Sequence, residues 1–194
     1  MKRRIAILIT AAALLTAGAG TALAQAPAEP APAPAAAEAW RMIEDAGTKL
    51  VRLAEAIPPD KYAWRPGEGV RSVSEVFLHV VGGNYLISQR LGAQPPAGFT
   101  LQGFDKSTTD KAKVIEELKK SFEHVKAAVS TADPEKTFQG RNRTVTFREI
   151  MFSIAIHGHE HLGQAIAYTR SVGITPPWTE EAQQRQQQPP KKNP

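Results

Sequence analysis

Residues 147–168 read FREIMFSIAIHGHEHLGQAIAY, and this stretch decides the fold. Its apolar side chains recur every three or four residues, which is typical of a helix with one buried face. His157 and His161 continue that stripe at positions where leucine would be expected. They are four residues apart, so on a helix their imidazoles stack on one face, about 6 Å apart along the axis. The stretch therefore predicts a long helix with two histidines facing a core.

Three further segments show the same helical period. Together with the first, these predicted helices cover residues 37–57, about 72–91, 111–132 and 146–172. The second is expected to start at Ser72 or Ser74, because Glu75 lies three residues after Ser72 as in a capping box. Since no convincing strand lies between these segments, they predict an all-α four-helix bundle. The connections at 101–106 and 136–145 are too long for tight hairpins. We expect at least one to cross the bundle or cover its mouth.

The two ends of the chain are expected to lie outside this bundle. Residues 1–24 combine a basic start, an apolar stretch and the pattern Ala22-Leu23-Ala24, which predicts a signal peptide cleaved before Gln25. Residues 25–36 are predicted to be an Ala/Pro-rich linker, 37–180 the bundle, and 181–194 a disordered polar tail. The apolar stretch is too short to span a bilayer comfortably. We therefore expect a periplasmic or secreted protein with no stable membrane anchor.

The charge balance narrows the choice of partners. The formal net charge is +5, but Lys2, Arg3 and Arg4 would leave with the signal peptide. Between residues 37 and 180 there are 18 Lys and Arg against 17 Asp and Glu, well interspersed. Nucleic-acid binding requires a basic stripe, and none is present, so we expect no nucleic-acid partner. The chain has no cysteine, which excludes disulfides and a lipid-attached cysteine. A small-molecule substrate is the expected partner, and a homodimer is left open.

A third histidine, His79, lies three residues after Val76 on the inward face of the second predicted helix. Three imidazoles in an apolar bundle cannot satisfy one another, whereas a divalent metal takes one nitrogen from each ring. We therefore predict one metal ion bound by His79, His157 and His161. Imidazole ligands suit zinc, nickel or iron, and also copper. Three histidines leave an open position, where a bound water would be acidified and become a nucleophile.

Residues beside the histidines divide into those that face the predicted site and those that do not. Gln164, three residues past the last histidine, is placed to touch the site or to brace a ligand. His159 and Glu160 are rotated away and are expected at the helix surface. Gly82 and Gly83 would allow close helix approach or leave room for a substrate. No side chain is assigned as the catalytic residue.

Three stretches of the chain resemble the DinB-like (DinB/YfiT) superfamily of four-helix-bundle metalloenzymes. They are residues 64–79, residues 157–164 with the pattern His-x-x-x-His-x-Gly-Gln, and residues 168–177. The resemblance spans about residues 37–178 and implies the same three metal ligands: His79, His157 and His161. It also implies a divalent-metal protein. Some members of the superfamily are S-transferases or isomerases that use a low-molecular-weight thiol. Those thiols are cytosolic, so thiol transfer is not expected of an exported chain.

Three functions are compatible with these patterns. The first, which we predict, is a metal-dependent hydrolase or transferase that acts on a small substrate at the three-histidine site. The second is a non-catalytic metal-binding or stress-related bundle protein. The third is a structural bundle whose histidines are merely packed.

Overall fold

Four long helices form the main body of the protein. We describe residues 33–187 of a computed structural model, in which these helices are α1 (Pro34–Ala56), α2 (Val73–Ser88), α3 (Lys111–Thr131) and α4 (Phe147–Ser171). Helices α1 and α2 each pack against both α3 and α4. A shorter helix, α5 (Pro177–Gln187), follows a glycine, Gly173, whose φ of 81° ends α4. The predicted four-helix bundle is confirmed.

The core consists of the apolar stripes that the sequence shows. Helix α2 is the most enclosed, because α3, α4 and the turn Phe104–Lys106 all pack against it. Its sequence, VSEVFLHVVGGNYLIS, is apolar on nearly every side, as expected for a helix without a solvent face. The largest fully buried side chains of the core come from α1, α2, α3, α4 and the α1–α2 connection, and include Leu50, Tyr62, Phe77, Leu118 and Met151. A histidine on α2 is therefore drawn into the bundle.

The connection between α3 and α4 differs from the prediction. Thr137–Gln139 (β1) and Thr144–Thr146 (β2) form an antiparallel hairpin, in which Phe138 pairs with Val145. We expected no strand, and that expectation was wrong. The strands are three residues long, too short for an alternating pattern to stand out from chance.

The bundle is longer at both ends than the sequence indicated. Helix α1 begins at Pro34, inside the segment predicted as linker, and α5 includes residues 181–187 of the predicted disordered tail. Trp178 anchors α5, because its ring packs against the core and lies 5.9 Å from the Arg52 guanidinium. Arg52 also pairs with Glu181. These contacts order a polar segment whose composition alone indicates disorder.

Some predictions fall outside the part of the chain that the structure describes. They are the signal peptide at 1–24, the linker residues up to 32 and the tail from 188 to 194. Among residues 33–187, no helix has both the length and the apolar character that crossing a membrane requires.

The start of α2 is fixed by the predicted capping box. The Glu75 backbone N–H donates to Ser72 Oγ at 3.3 Å, and the Ser72 backbone N–H donates to Glu75 Oε2 at 2.8 Å. Arg65 adds a hydrogen bond from Nη2 to Glu75 Oε1 at 3.0 Å. Burial alone would raise the pKa of Glu75, but the bonds from Ser72 and Arg65 outweigh it and hold that pKa below its usual value.

Glu75→Gln is expected to remove a pH-dependent part of the stability. A carboxylate whose pKa is lowered by folding stabilises the fold above its unfolded value of about 4.3. That contribution is lost as the pH falls through the lower folded value. Urea denaturation should therefore show the variant less stable than wild type at pH 7, with the difference shrinking as the pH falls below about 4. Glu68→Gln, on an exposed loop, is the control and should not show this pH dependence. The assignment would be contradicted if the free energies of unfolding of wild type and Glu75→Gln differed by the same amount from pH 7 to pH 3.

Candidate metal centre

Helices α2 and α4 bring the three predicted histidines together. His79 projects from α2 toward α4, which carries His157 and His161. The His79 ring centroid lies 5.3 Å from that of His157 and 4.6 Å from that of His161, and the latter two are 4.7 Å apart. One nitrogen from each ring lies within 4.8 Å of the others. Among residues 33–187 this is the one group of histidines and carboxylates close enough to share a metal ion.

Backbone packing holds His157 in place. A Cβ atom built on Gly83 would lie 2.1 Å from His157 Cε1, so the ring occupies the space where any other residue would carry its side chain. His157 Nδ1 is buried and has no hydrogen-bond partner among the described residues. On its Nδ1 side the orientation of this ring is therefore set by contact with α2 rather than by a hydrogen bond.

A hydrogen-bonded chain along α4 orients His161, which is 8 % exposed. His161 Nδ1 donates to Gln164 Oε1 at 2.9 Å, and Gln164 Nε2 donates to the Tyr168 hydroxyl at 3.1 Å. The Tyr168 ring in turn meets Trp64 edge-on, with centroids 5.6 Å apart. With the proton on Nδ1, the Nε2 lone pair of His161 is directed toward the other two histidines. Gln164 thus braces a candidate ligand, which is one of the two roles its spacing indicated.

Burial keeps His157 and His79 in their neutral form. Desolvation lowers the pKa of His157 to about 4, with further lowering from the charges of His161, His79 and Arg71. The pKa of His79 is also lowered, first by burial and then by Arg71 and His161. At neutral pH these rings therefore carry free lone pairs, which metal binding requires.

The donor set fits a divalent metal ion. His157 Nε2 and His79 Nε2 are 3.5 Å apart. Two nitrogen ligands of a tetrahedral ion, each about 2.0–2.1 Å from the metal, would be roughly 3.4 Å apart. A nitrogen of the third ring, His161, lies within 4.8 Å of these two. Neutral nitrogen donors of this kind suit zinc, nickel, iron or copper.

The two residues predicted to face away do so. His159 Nδ1 donates to the Ala155 carbonyl at 2.9 Å, and its Nε2 lies 3.7 Å from Asp45 on the surface of α1 and α4. Glu160 is exposed. Its negative charge raises the pKa of His79 slightly, but burial and the nearby positive charges lower that pKa by more.

Two neighbours of the site were not assigned from the sequence. Tyr168 supports Gln164, and its spacing of seven residues from His161 on one helix face could have revealed that role. Arg71 acts electrostatically on both His79 and His157. It lies on the connection before α2, where no periodic signal marks its direction.

Comparison with known proteins agrees with this architecture. Residues 33–192 match the model of the DinB family. A DinB-like protein of Bacillus cereus has a crystal structure with a TM-score of 0.62 and 16 % identity, covering 73 % of this chain and 93 % of that one. The DinB-like protein YjoA of Bacillus subtilis gives a TM-score of 0.58 and 20 % identity, covering 71 % and 93 %.

A third similar structure carries a functional description. YfiT of Bacillus subtilis is described as "a probable metal-dependent hydrolase with an unusual four-helix bundle topology". Its TM-score is 0.57 at 16 % identity, and the match covers 78 % of this chain and 95 % of YfiT. At these identities the likeness establishes the fold. No functionally curated protein matches the chain.

Gly83→Ala is expected to displace the His157 ring. The new methyl would overlap His157 Cε1, and relief of such overlap in a packed site costs about 1–3 kcal/mol of unfolding free energy. Chemical denaturation should record this loss, and NMR should show shifted imidazole resonances for His157.

Gly82→Ala provides the matched control on the same helix. A Cβ there would approach the flexible end of Leu101 at 3.0 Å, and alanine favours a helix over glycine by up to about 1 kcal/mol. Gly82→Ala should therefore leave the His157 resonances unchanged. Equal effects of the two substitutions would contradict the proposed packing.

Proposed function

This chain belongs to the DinB family, and from that premise we propose that it is an exported, metal-dependent hydrolase or transferase for a small substrate. One divalent metal ion is bound by His79, His157 and His161. The observation that carries this proposal is the convergence of three imidazole nitrogens within 4.8 Å. Burial keeps His79 and His157 from protonating, so these rings are available as ligands at neutral pH.

Each residue of the site has a defined task in this proposal. The Nε2 atoms of the three histidines bind the ion, while Gln164 holds His161 in the required tautomer. Gly83 leaves the space that His157 occupies. Three protein ligands would leave a coordination position for water or substrate, and a divalent ion held there would supply a Lewis acid that lowers the pKa of a bound water.

A cavity that shares Gln164 with the histidine cluster suits a small substrate. It has a volume of about 510 Å³ and is lined in part by Gln164, which also contacts His161. Cavities that bind small molecules are typically about 300–1,000 Å³. A molecule held there would contact Gln164, the residue that hydrogen-bonds to His161.

A non-catalytic metal-binding protein is the second candidate. In residues 33–187 no carboxylate is hydrogen-bonded to His79, His157 or His161, so no acid–base group is already in contact with the ligands. A protein that only sequesters metal needs none. Such a protein should bind its ion tightly and show no hydrolysis or transfer when small esters, amides and phosphate esters are supplied.

Export can be tested independently of the metal. We expect the full chain, expressed in a Gram-negative host, to be recovered from the periplasm with Gln25 as its first residue. Amino-terminal sequencing measures this directly, and replacing Ala22 and Ala24 with bulky residues should block cleavage. Recovery of the uncleaved chain from the cytosol would refute the export proposal while leaving the metal site open.

The metal site predicts a sharp contrast between neighbouring histidines. Protein exported by its own leader should carry about one divalent ion per chain, measured by mass spectrometry of the metal content. His157→Ala should lose that ion, with affinity reduced more than the roughly 10- to 100-fold typical of residues that only support a ligand. His159→Ala, two residues along α4, removes an imidazole from the surface and should bind metal normally.

Two outcomes would overturn the proposal. One is a wild-type chain without stoichiometric metal under these conditions. The other is full metal retention by His157→Ala, which would leave the histidines as packed core residues.

A further inference from the structure

The cavity that Gln164 shares with the histidine cluster is lined mainly by charged side chains. Arg65, Arg71, Lys106, Glu75 and Asp105 line it together with Gln164. These residues come from the connection before α2, from α2 itself, from the turn Phe104–Lys106 and from α4. Gln164 joins the two regions, since it lines the cavity and accepts the His161 hydrogen bond.

Arg65 and Arg71, two of the three cations that line the cavity, differ in how many hydrogen bonds they already make. Arg65 donates from Nη1 to the Val70 carbonyl at 3.0 Å and from Nη2 to Glu75 at 3.0 Å. Arg71 approaches Asp105 only through Nε, at 3.7 Å, which is too long for a hydrogen bond. Among residues 33–187 its guanidinium has no hydrogen-bond partner, so both terminal nitrogens are available to a ligand.

Arg71 is also near enough to the histidines to act on them. Its positive charge contributes to the lowered pKa of His79 and to that of His157. Asp105 and Glu160 act on His79 in the opposite direction. Arg71 also shares the lining of the cavity with Gln164, which contacts His161.

The backbone donors at the start of α2 are already used. At the start of α2, the Val73 and Ser74 backbone N–H groups donate to the Trp64 and Tyr62 carbonyls at 3.0 Å each. The Ser72 and Glu75 N–H groups are taken by the capping box. An anion in the cavity would thus find its hydrogen-bond donors on side chains: the Arg71 guanidinium, which offers two terminal nitrogens, and the Lys106 ammonium, which also lines the cavity.

We propose that the substrate carries a carboxylate or phosphate group, which Arg71 binds beside the histidine cluster. This inference rests on the proposed function, because it names the substrate class of the same site. A guanidinium with two free nitrogens matches the geometry of either group, and such charge-assisted pairs are among the stronger hydrogen bonds in proteins.

The charge of the centre favours the same class of ligand. Three neutral imidazoles leave a divalent ion with its full double charge, and no carboxylate belongs to the ligand set. The charged residues that line the cavity, three cations and two carboxylates, do not cancel it. A site with this excess of positive charge attracts and retains anions.

Anion binding can be measured without knowing the natural substrate. The mature chain is loaded with cobalt(II), whose visible absorption reports on the three histidines, and is titrated with inorganic phosphate and with acetate. Acetamide serves as an uncharged relative of acetate. We expect phosphate or acetate to change the cobalt bands and acetamide to leave them unchanged, with the stronger of the two anions identifying the preferred group.

Variants then test the role of Arg71. Arg71→Gln should take up cobalt with the wild-type spectrum but bind the preferred anion at least about 10-fold more weakly. Arg71→Lys should be intermediate, because lysine keeps the charge and loses the two-pronged geometry. Arg141→Gln, an equal change of charge at the tip of the hairpin, should bind the anion as wild type does.

The possible failures are distinguishable. If the cobalt bands do not appear in wild type, the metal site fails and the anion site falls with it. If the bands are normal and Arg71→Gln binds phosphate and acetate as wild type does, the anion site alone is overturned. A response to acetamide equal to that of acetate would also overturn it.

Discussion

Contact between the His157 ring and the backbone of Gly83 is the constraint on which the site depends. Because position 83 has no side chain, α2 and α4 approach closely enough for His157 Nε2 to come within 3.5 Å of His79 Nε2. A side chain at 83 would push the ring away or separate the helices. The rest of the bundle supports this one approach: α3 and the turn Phe104–Lys106 enclose α2 on its other sides and leave it little freedom to shift.

The same packing gives the cluster its chemical character at some cost in stability. Burial removes water from the imidazoles, which lowers the pKa of His157 to about 4 and leaves its Nδ1 without a partner. An unsatisfied buried polar group typically costs about 1–3 kcal/mol. A core of leucines at these positions would avoid that cost. A bound metal ion would offset this cost, because an ion that binds the folded chain but not the unfolded chain stabilises the fold.

The features that could be predicted from the sequence are those that follow helical periodicity or a short local motif. His79, His157 and His161 lie on the inward stripes of two helices, so their convergence could be inferred from spacing together with the expectation of a bundle. The Ser72–Glu75 capping box was equally local and is present. Arg71 was not predicted because a loop residue has no period, and its position depends on how residues 65–71 fold over α2. The hairpin and α5 were missed for a related reason: three-residue strands show no pattern, and α5 is ordered by contacts of Trp178 and Arg52 that composition does not reveal.

Trp64 connects the two halves of the proposed site. Its ring packs edge-on against Tyr168, which supports Gln164 and through it His161. Its carbonyl accepts the Val73 N–H at 3.0 Å, which fixes the first turn of α2 two residues after Arg71. The orientation of a candidate metal ligand and the position of the candidate anion-binding guanidinium therefore both depend on Trp64, the first through its ring and the second through its backbone carbonyl. A metal site and an anion site held by separate elements could change independently. Here a shift of the loop before α2 would move both the candidate metal ligand and the candidate anion-binding guanidinium.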